Sequence, residues 1–164
     1  MNKDDEFSAW YGATYPKVLA SVALATSANQ ARAEDAANEA FLRAYERWDD
    51  VRLFESASGW VTKVAINAAK KTFRLSAHRL FYRIARPARG QLHPISYDPA
   101  LWDAVRKLPE RQREAIVLRY VEDLTQEQIS SQLGMAAGTA AATLSHARGN
   151  LRNQLEESHG DEKR

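Results

Sequence analysis

The sequence predicts an all-α protein made of two small helical domains joined by a basic linker. Apolar residues recur at helical spacing along most of the 164 residues, and the alternating β-branched runs that indicate strands do not occur. Only five Pro and seven Gly interrupt the chain, which leaves room for long helices. The spacing predicts a domain at 1–75, a linker at 76–96, a second domain at 97–155 and a tail at 156–164.

The first domain begins with two predicted helices separated by a polar break at residues 26–30. Helical spacing predicts the first from Phe7 to about Ala25, with Pro16 either kinking it or starting a second piece. The second is predicted over residues 33–48, with acids in its first turn, where the helix dipole favours them. The polar residues expected on its outer face are Glu34, Asp35, Asn38, Glu39, Arg43 and Glu46.

The third predicted helix, residues 60–74, has a cationic outer face. At about 100° per residue, an amide and three cations fall within an arc of roughly 60°, with Lys71 beside it: Lys63, Asn67, Lys70 and Arg74. A separate apolar arc can face a core, and it is formed by Trp60, Val61, Val64, Ala65 and Ala68. Residues 49–59 are predicted to form a loop or short turn, ending in the helix-start residues Ser56, Ser58 and Gly59.

Positive charge is concentrated around this helix and the linker. The whole chain has 23 Lys and Arg against 21 Asp and Glu, a net charge of +2, yet residues 56–97 contain eight cations and no acid. Without those eight cations, fifteen Lys and Arg would remain against 21 acids, a net charge of −6. A patch of one sign attracts a polyanion even when the total charge is small. The linker also carries Phe81 and Tyr82, which are suited to stacking on nucleic acid.

The C-terminal domain is predicted to contain a helix-turn-helix. A short helix within residues 97–107 precedes a helix that Pro109 opens. Thr125 and Gln128 form a predicted capping box, and Gly134 supplies the turn before a last helix that starts near residues 136–139. That last helix has an apolar seam formed by Ala140, Leu144, Ala147 and Leu151. The tail after Leu155 has mixed charge and is expected to fray.

Several function classes lack their signatures. The chain has no Cys, which excludes disulfides and thiolate metal sites. Its four His are scattered without metal-site spacing, and no phosphate-binding glycine loop or nucleophile motif occurs. The acidic N-terminus does not resemble a signal peptide, and no apolar run approaches the ~18 residues of a membrane span. We therefore expect no catalytic residues, metal or cofactor, and a cytoplasmic location.

Two motifs resemble the extracytoplasmic-function (ECF) group of bacterial sigma-70-type sigma factors. AEDAANEAFLRAYERW followed by GWVTKVAINAAKKTFR resembles sigma region 2, and LPERQREAIVLRYVEDLTQEQISSQLGMAAGT resembles sigma region 4. Both occur on one short chain, in the family's order and on either side of a basic linker. The resemblance implies a protein that binds core RNA polymerase, places it at a promoter and helps to open the DNA.

The resemblance also implies partners and residue roles. The helix at 33–48 would dock on a coiled coil of the polymerase β′ subunit through Glu34, Asp35, Asn38, Glu39 and Arg43. The helix at 60–74 and the loop before it would hold the unpaired −10 element, with Asn67 reading a base edge and Phe54 stacking on a base. The backbone phosphates there would be held by Lys63, Lys70, Lys71 and Arg74. An anti-sigma factor is a further expected partner.

The second domain would read the −35 duplex in the major groove and contact the polymerase β flap. The family's recognition helix usually reads GTVKSRLxRAR, whereas this chain has GTAAATLSHAR. Alanine and threonine cannot make the bidentate guanine contacts of arginine, so we expect weaker −35 reading and more reliance on the first domain. The −35 candidates are Thr139, Ala142, Ser145, His146 and Arg148, with Arg152 beyond them.

Two other functions fit parts of the sequence. One is a helix-turn-helix regulator with no role at polymerase, such as a response-regulator output domain, which would leave the N-terminal half unexplained. The other is a sigma-like adaptor that binds polymerase or a regulator but not DNA, which the alanine-rich recognition helix favours. Transcription from a defined site on addition to core polymerase would distinguish the sigma factor from both.

Overall fold

The computed structural model describes residues 2–26, 28–71 and 98–161. This part of the chain is helical, with no strand, and it divides into two compact units. The first unit comprises α1 (Lys3–Thr26) up to Ala23, α2 (Gln30–Glu46), α3 (Trp48–Val51) and α4 (Ala57–Lys70). The second comprises residues 24–26 with α5 (Pro99–Arg106), α6 (Glu110–Tyr120), α7 (Gln126–Leu133) and α8 (Ala137–Asp161). The all-α class predicted from helical spacing is confirmed.

Helix α1 is one continuous helix that contains Pro16, and its aromatic side chains pack against α2 and α3. Phe41, buried on α2, has ring-centroid distances of 5.4 Å to Trp10 and 4.9 Å to Tyr11. Phe7 contacts the rings of Tyr45 at 5.1 Å and Trp48 at 5.2 Å. Because such ring pairs add to the burial of apolar area, aromatic packing holds α1 in place.

Helix α2 packs along α4. It begins earlier than predicted, because the Asn29 side chain accepts a hydrogen bond from the Arg32 amide at 2.9 Å and caps the helix. The predicted first-turn position of Glu34 and Asp35 is therefore wrong, since both lie one turn further in. Near the end of the helix, the aromatic residue Tyr45 is 39% exposed.

In the second unit, α5 to α8 surround one apolar core. Val105, Leu118 and Ile129 are among its buried residues, and Leu144 of α8 closes it. Helix α8 continues to Asp161, so the expected fraying after Leu155 is wrong. Two side chains in its last turns form hydrogen bonds with backbone carbonyl oxygens four residues earlier. Ser158 Oγ donates to the Gln154 carbonyl oxygen at 2.9 Å, and His159 Nδ1 lies 2.6 Å from the Leu155 carbonyl oxygen.

Candidate nucleic-acid interface

Helix α4 is fixed at both ends. At its start, the Ser56 hydroxyl accepts a hydrogen bond from the Gly59 amide at 3.0 Å, which confirms the predicted helix-start residue. At its end, the Arg32 guanidinium donates to the Ala69 carbonyl oxygen, a favourable place for a cation because carbonyl groups are unpaired at a helix C-terminus. Val61 and Ala65 face the core and are fully buried.

The outer face of α4 lies where the sequence places it. Asn67, Lys70 and Lys71 are exposed, and Lys63 is partly exposed. Lys71 is the C-cap residue, so the helix ends before Arg74, which lies outside the described residues together with Phe81 and Tyr82. An amide and three cations therefore occupy one end and side of α4 and are accessible to a polyanion.

Three side chains before and within α4 form a second part of this surface. Phe54 is 37% exposed and lies edge-on to Trp60, with ring centroids 5.9 Å apart and an interplanar angle of 62°. Arg47 Cζ lies 5.8 Å from the centre of the Trp60 ring, within the range of a cation–π contact. Trp60 thus contacts both, and it leaves part of the Phe54 ring open for stacking.

Two residues of this surface were missed by sequence reasoning. Helical spacing places Trp60 on the core face, but the residue is only partly buried and its ring supports Phe54. Leu53 is 75% exposed, an unusual position for a leucine. The available signal was the apolar pair at 53–54 within an otherwise polar loop.

The predicted polymerase-binding side of α2 is only partly as expected. Glu34 accepts a hydrogen bond from Gln30 Nε2 at 2.8 Å, Glu39 pairs with Arg43, and Asp35 is partly exposed. Asn38 is 2% exposed, so its placement on the outer face is wrong. The reason is that the buried residues of α2 occupy an arc of about 200° around the helix axis, with Ala36 at one edge and Asn38 at the other. The buried face is therefore wider than a single apolar stripe.

Polar contacts tie the first turn of α1 to the end of α2. The Tyr45 hydroxyl donates to Asp4 Oδ1 at 2.7 Å, and Lys3 Nζ lies 5.2 Å from the centre of the Tyr45 ring. The hydrogen bond to Asp4, and then its negative charge, raise the pKa of Tyr45. Burial raises the pKa of Tyr11, which lies on α1.

The helix-turn-helix is confirmed in α7 and α8. Thr125 and Gln128 form the predicted capping box: Oγ1 of Thr125 accepts from the Gln128 amide at 3.2 Å, and Gln128 Oε1 accepts from the Thr125 amide at 2.8 Å. Gly134 ends α7 with φ of 62°, a left-handed conformation that glycine adopts without strain. The predicted helix opening at Pro109 is confirmed, since Pro109 is the N-cap of α6.

Three arginines of α6 hold neighbouring elements through backbone carbonyl oxygens. Arg111 Nη1 donates to Leu133 at the end of α7 at 3.3 Å. Arg113 Nη1 donates to Arg106 at the end of α5 at 2.9 Å, and Arg119 Nη1 donates to Leu124 before α7 at 2.8 Å. These cations therefore have structural contacts and add little to a DNA-binding surface.

The −35 candidates all lie on the exposed side of α8: Thr139, Ala142, Ser145, His146 and Arg148. The seam residues Ala140, Leu144 and Ala147 are buried on the other side, as predicted, and Leu151 is partly buried against the same core. Residues 120–147 contain three acids and no Lys or Arg. The helix therefore presents methyl groups, hydroxyls and an imidazole, with its first cation at Arg148.

Within the described ranges, no helix is long and apolar enough to cross a membrane. Among these same residues, no group of His, Asp or Glu side chains is arranged to hold a metal ion.

Comparison with known families assigns both units. Sigma-70 region 2 matches residues 11–79, which include α2 to α4, and sigma-70 region 4 matches residues 99–151, which include the helix-turn-helix. An RNA polymerase sigma-E factor of Streptomyces avermitilis is 30% identical over 133 residues, covering 76% of this chain and 71% of the relative. The chain belongs to the ECF group of the sigma-70 family.

Further relatives of this sigma factor agree. ECF RNA polymerase sigma factor SigW of Bacillus subtilis is 27% identical, with 77% of each chain covered. A probable RNA polymerase sigma factor of Xanthomonas campestris, RfaY, is 30% identical over 84% of this chain, which spans only 37% of that longer relative. A solved sigma factor from Bartonella quintana, RpoE in complex with the anti-sigma factor NepR, has the same fold, with a TM-score of 0.68, 22% identity, and 92% and 97% of the two chains covered.

The family gives the two units their functions. As an ECF sigma factor, the protein binds core RNA polymerase, recognises the −10 and −35 promoter elements and promotes DNA opening. The matches assign regions rather than residues.

Proposed function

We propose that this sigma factor holds the unpaired −10 strand on one surface formed by the outer face of α4 and the loop before it. Lys63, Lys70 and Lys71 neutralise phosphates, and Asn67 donates to and accepts from a base edge. Phe54, supported by Trp60, stacks on an extruded base. Arg74 continues the cationic row by sequence. The observation that carries the proposal is the exposure of Asn67 and Lys70 on one face of a helix in region 2.

The remaining assignments follow from the same argument. Glu34, Asp35, Glu39 and Arg43 of α2 contact the coiled coil of polymerase β′; Asn38 lacks the exposure for this role. The outer side of α8 faces the −35 duplex, and the second domain contacts the β flap. The two functional domains are residues 1–75 and 97–155, joined by the basic linker at 76–96.

The protein is proposed to bind and isomerise DNA without catalytic groups of its own, in the cytoplasm, where core polymerase performs the chemistry. Opening is a population shift, because the surface on α4 stabilises the melted strand over the duplex. An anti-sigma factor is a proposed partner, supported by the complex in which the Bartonella relative was solved. Co-purification of the chain from its native host, followed by mass spectrometry, tests for that partner.

Run-off transcription with core polymerase and mapped start sites tests the function. Initiation at defined sites is expected, with Asn67→Ala and Lys70→Ala each reducing initiation about tenfold, as expected for losing a base-edge or phosphate contact worth about 1.4 kcal/mol. The matched control is Lys107→Ala, which removes an exposed cation outside the first domain. Loss of initiation in this control, or full activity in both α4 variants, would contradict the assignment.

A second candidate is a sigma-like adaptor with weak or lost −35 reading. The absence of Lys and Arg from residues 120–147 favours it. Failure to initiate at any site, combined with retained binding to core polymerase, would select this function.

A further inference from the structure

The centre of the exposed side of α8 is a methyl group. At about 100° per residue, Ala142 lies roughly opposite the buried seam of Ala140, Leu144 and Ala147. On the same helical projection Thr139 is about 60° to one side, and Ser145 is about 60° to the other. Both are exposed, as is Ala142. Ala142 therefore lies at the centre of the side that faces a duplex, with the exposed His146 imidazole about 40° from it.

Cations are absent from this centre. The first arginine on the exposed side, Arg148, is turned about 120° from Ala142, at the margin of the arc. Arg119, which precedes α7, donates to the Leu124 carbonyl oxygen within the domain. A bidentate arginine contact to guanine O6 and N7 is therefore not available where the helix would enter the groove most deeply.

The chemistry of Ala142 leaves one feature for it to recognise. Its side chain neither donates nor accepts a hydrogen bond, so the base-edge donors and acceptors of the major groove gain nothing from it. The thymine 5-methyl group is the apolar feature of that groove, and alanine and the threonine methyl are suitable partners for it. Thr139 supplies such a methyl beside Ala142.

We propose that α8 selects A·T pairs at the −35 element by contacting thymine 5-methyl groups with Ala142 and Thr139. The inference deepens the proposed function and rests on it, because it requires α8 to be the helix that enters the −35 major groove. Ala142 and Thr139 are specificity-determining residues in this reading.

The small size of each contact is compatible with this role. Burial of one methyl group changes an equilibrium by about three- to fourfold, which cannot hold DNA by itself. The second domain, however, is carried to the promoter by polymerase and by the first domain, so its local concentration at the −35 element is high. Under that condition a three- to fourfold preference at each position is enough to rank promoters.

The test uses holoenzyme assembled from the full chain and core polymerase. Promoters with a randomised −35 element are transcribed, and the templates that initiate are sequenced. Enrichment of thymine at one or two adjacent positions, on either strand, is expected, without enrichment of guanine on either strand at those positions. Each enriched thymine is then replaced by deoxyuridine, which removes only the methyl group, and about threefold weaker promoter occupancy is expected.

Variants of α8 link the effect to the residue. Ala142→Gly and Ala142→Ser are expected to lose the response to deoxyuridine at one position. Asn153→Gly, which introduces a glycine at an exposed position further along α8, is expected to retain that response. The serine variant retains a side chain and guards against loss of helix stability in the glycine variant.

Three results would overturn the inference while leaving the sigma function in place: guanine enrichment at the same positions, deoxyuridine templates that bind as well as thymine, or an unchanged deoxyuridine response in both Ala142 variants. A holoenzyme that initiates with no −35 preference would do the same. Absence of initiation on every template would overturn the proposed function, and the inference with it.

Discussion

Asn38 is a buried amide on α2. Neither of its side-chain polar atoms has a hydrogen-bond partner within the described part of the chain, although the residue is only 2% exposed. A buried polar group without a partner costs about 1–3 kcal/mol. Its presence therefore lowers the stability of the first unit.

Replacing Asn38 with alanine is expected to stabilise the protein by about 1 kcal/mol, because it removes the unsatisfied amide and improves helix propensity, less a small cavity term. Urea unfolding measures the change. Asn67→Ala is the matched control, since Asn67 is exposed and its replacement changes only helix propensity. That variant should raise the free energy of unfolding by about 0.5 kcal/mol. A destabilised Asn38 variant would indicate that the amide has a partner such as an ordered water.

Tyr45 and Asp4 form a titrating pair. Because the hydrogen bond raises the folded-state pKa of the phenol, its stabilising contribution is present below the ordinary value near 10 and is lost as pH rises through the folded-state pKa. Asp4→Asn is expected to return the Tyr45 pKa toward its ordinary value. The Tyr45 pKa is measured by following tyrosinate absorbance as pH rises and subtracting the same titration of the Tyr45→Phe variant.

The control for this titration is Asp5→Asn, which removes a neighbouring charge without removing the hydrogen bond. A Tyr45 pKa that shifts equally in both variants would show that general charge, rather than the Asp4 contact, determines it.

At the level of single elements, the turn between α7 and α8 depends on Gly134. Its φ of 62° is unfavourable for a residue with a Cβ, so Gly134→Ala is expected to destabilise the second unit by about 1 kcal/mol. Gly149→Ala is the matched control: it lies inside α8, with nothing within 4 Å of an added Cβ, and should stabilise by up to about 1 kcal/mol. Thermal unfolding measures the stability change in each variant, and equal changes in Gly134→Ala and Gly149→Ala would contradict the role of the positive φ at Gly134.

Helix α4 is expected to set the salt dependence of single-strand binding. Lys70→Gln should reduce the slope of log K against log salt for an unpaired −10 oligonucleotide by about 0.7, the value for one phosphate contact on a single strand. Fluorescence anisotropy at several salt concentrations measures the slope. Lys107→Gln should leave it unchanged, and an unchanged slope in the Lys70 variant would remove that residue from the binding surface.

The helices could be predicted from the sequence because spacing and caps are local properties. The capping box at Thr125 and the start of α4 at Ser56 depend on a few neighbouring residues. The burial of Asn38 and the support of Phe54 by Trp60 depend on packing between elements, and no local pattern contains that information. The start of α2 was missed because the capping residue Asn29 lies in the polar break.

At the scale of the whole molecule, charge is divided along the chain. Residues 1–55 carry six Lys and Arg against ten acids, residues 56–97 carry eight cations without an acid, and residues 98–161 carry seven Lys and Arg against ten acids. Three of those last seven cations donate to carbonyl oxygens. Electrostatic attraction to DNA is therefore expected to reside in the first domain and the linker.

A fragment of residues 97–161 is accordingly expected to bind duplex promoter DNA weakly at ordinary salt, while the full chain binds an unpaired −10 strand more tightly. The fragment includes all of α8, which ends at Asp161. Circular dichroism should first establish that it is helical, and electrophoretic mobility shifts then compare the two. Tight, sequence-selective duplex binding by the fragment would contradict the charge argument.

The three guanidinium groups of α6 hold the elements around the helix-turn-helix in place through bonds to backbone carbonyl oxygens. Arg111 and Arg119 hold the two ends of the α7 segment, and neither bond involves the outward side chains of α8. Given the proposed role of α8, substitutions on that outer side are expected to alter promoter choice without disturbing the domain that presents it. A lineage could acquire a new set of target genes through changes at positions such as Ala142 alone, provided that the arginines behind them are retained.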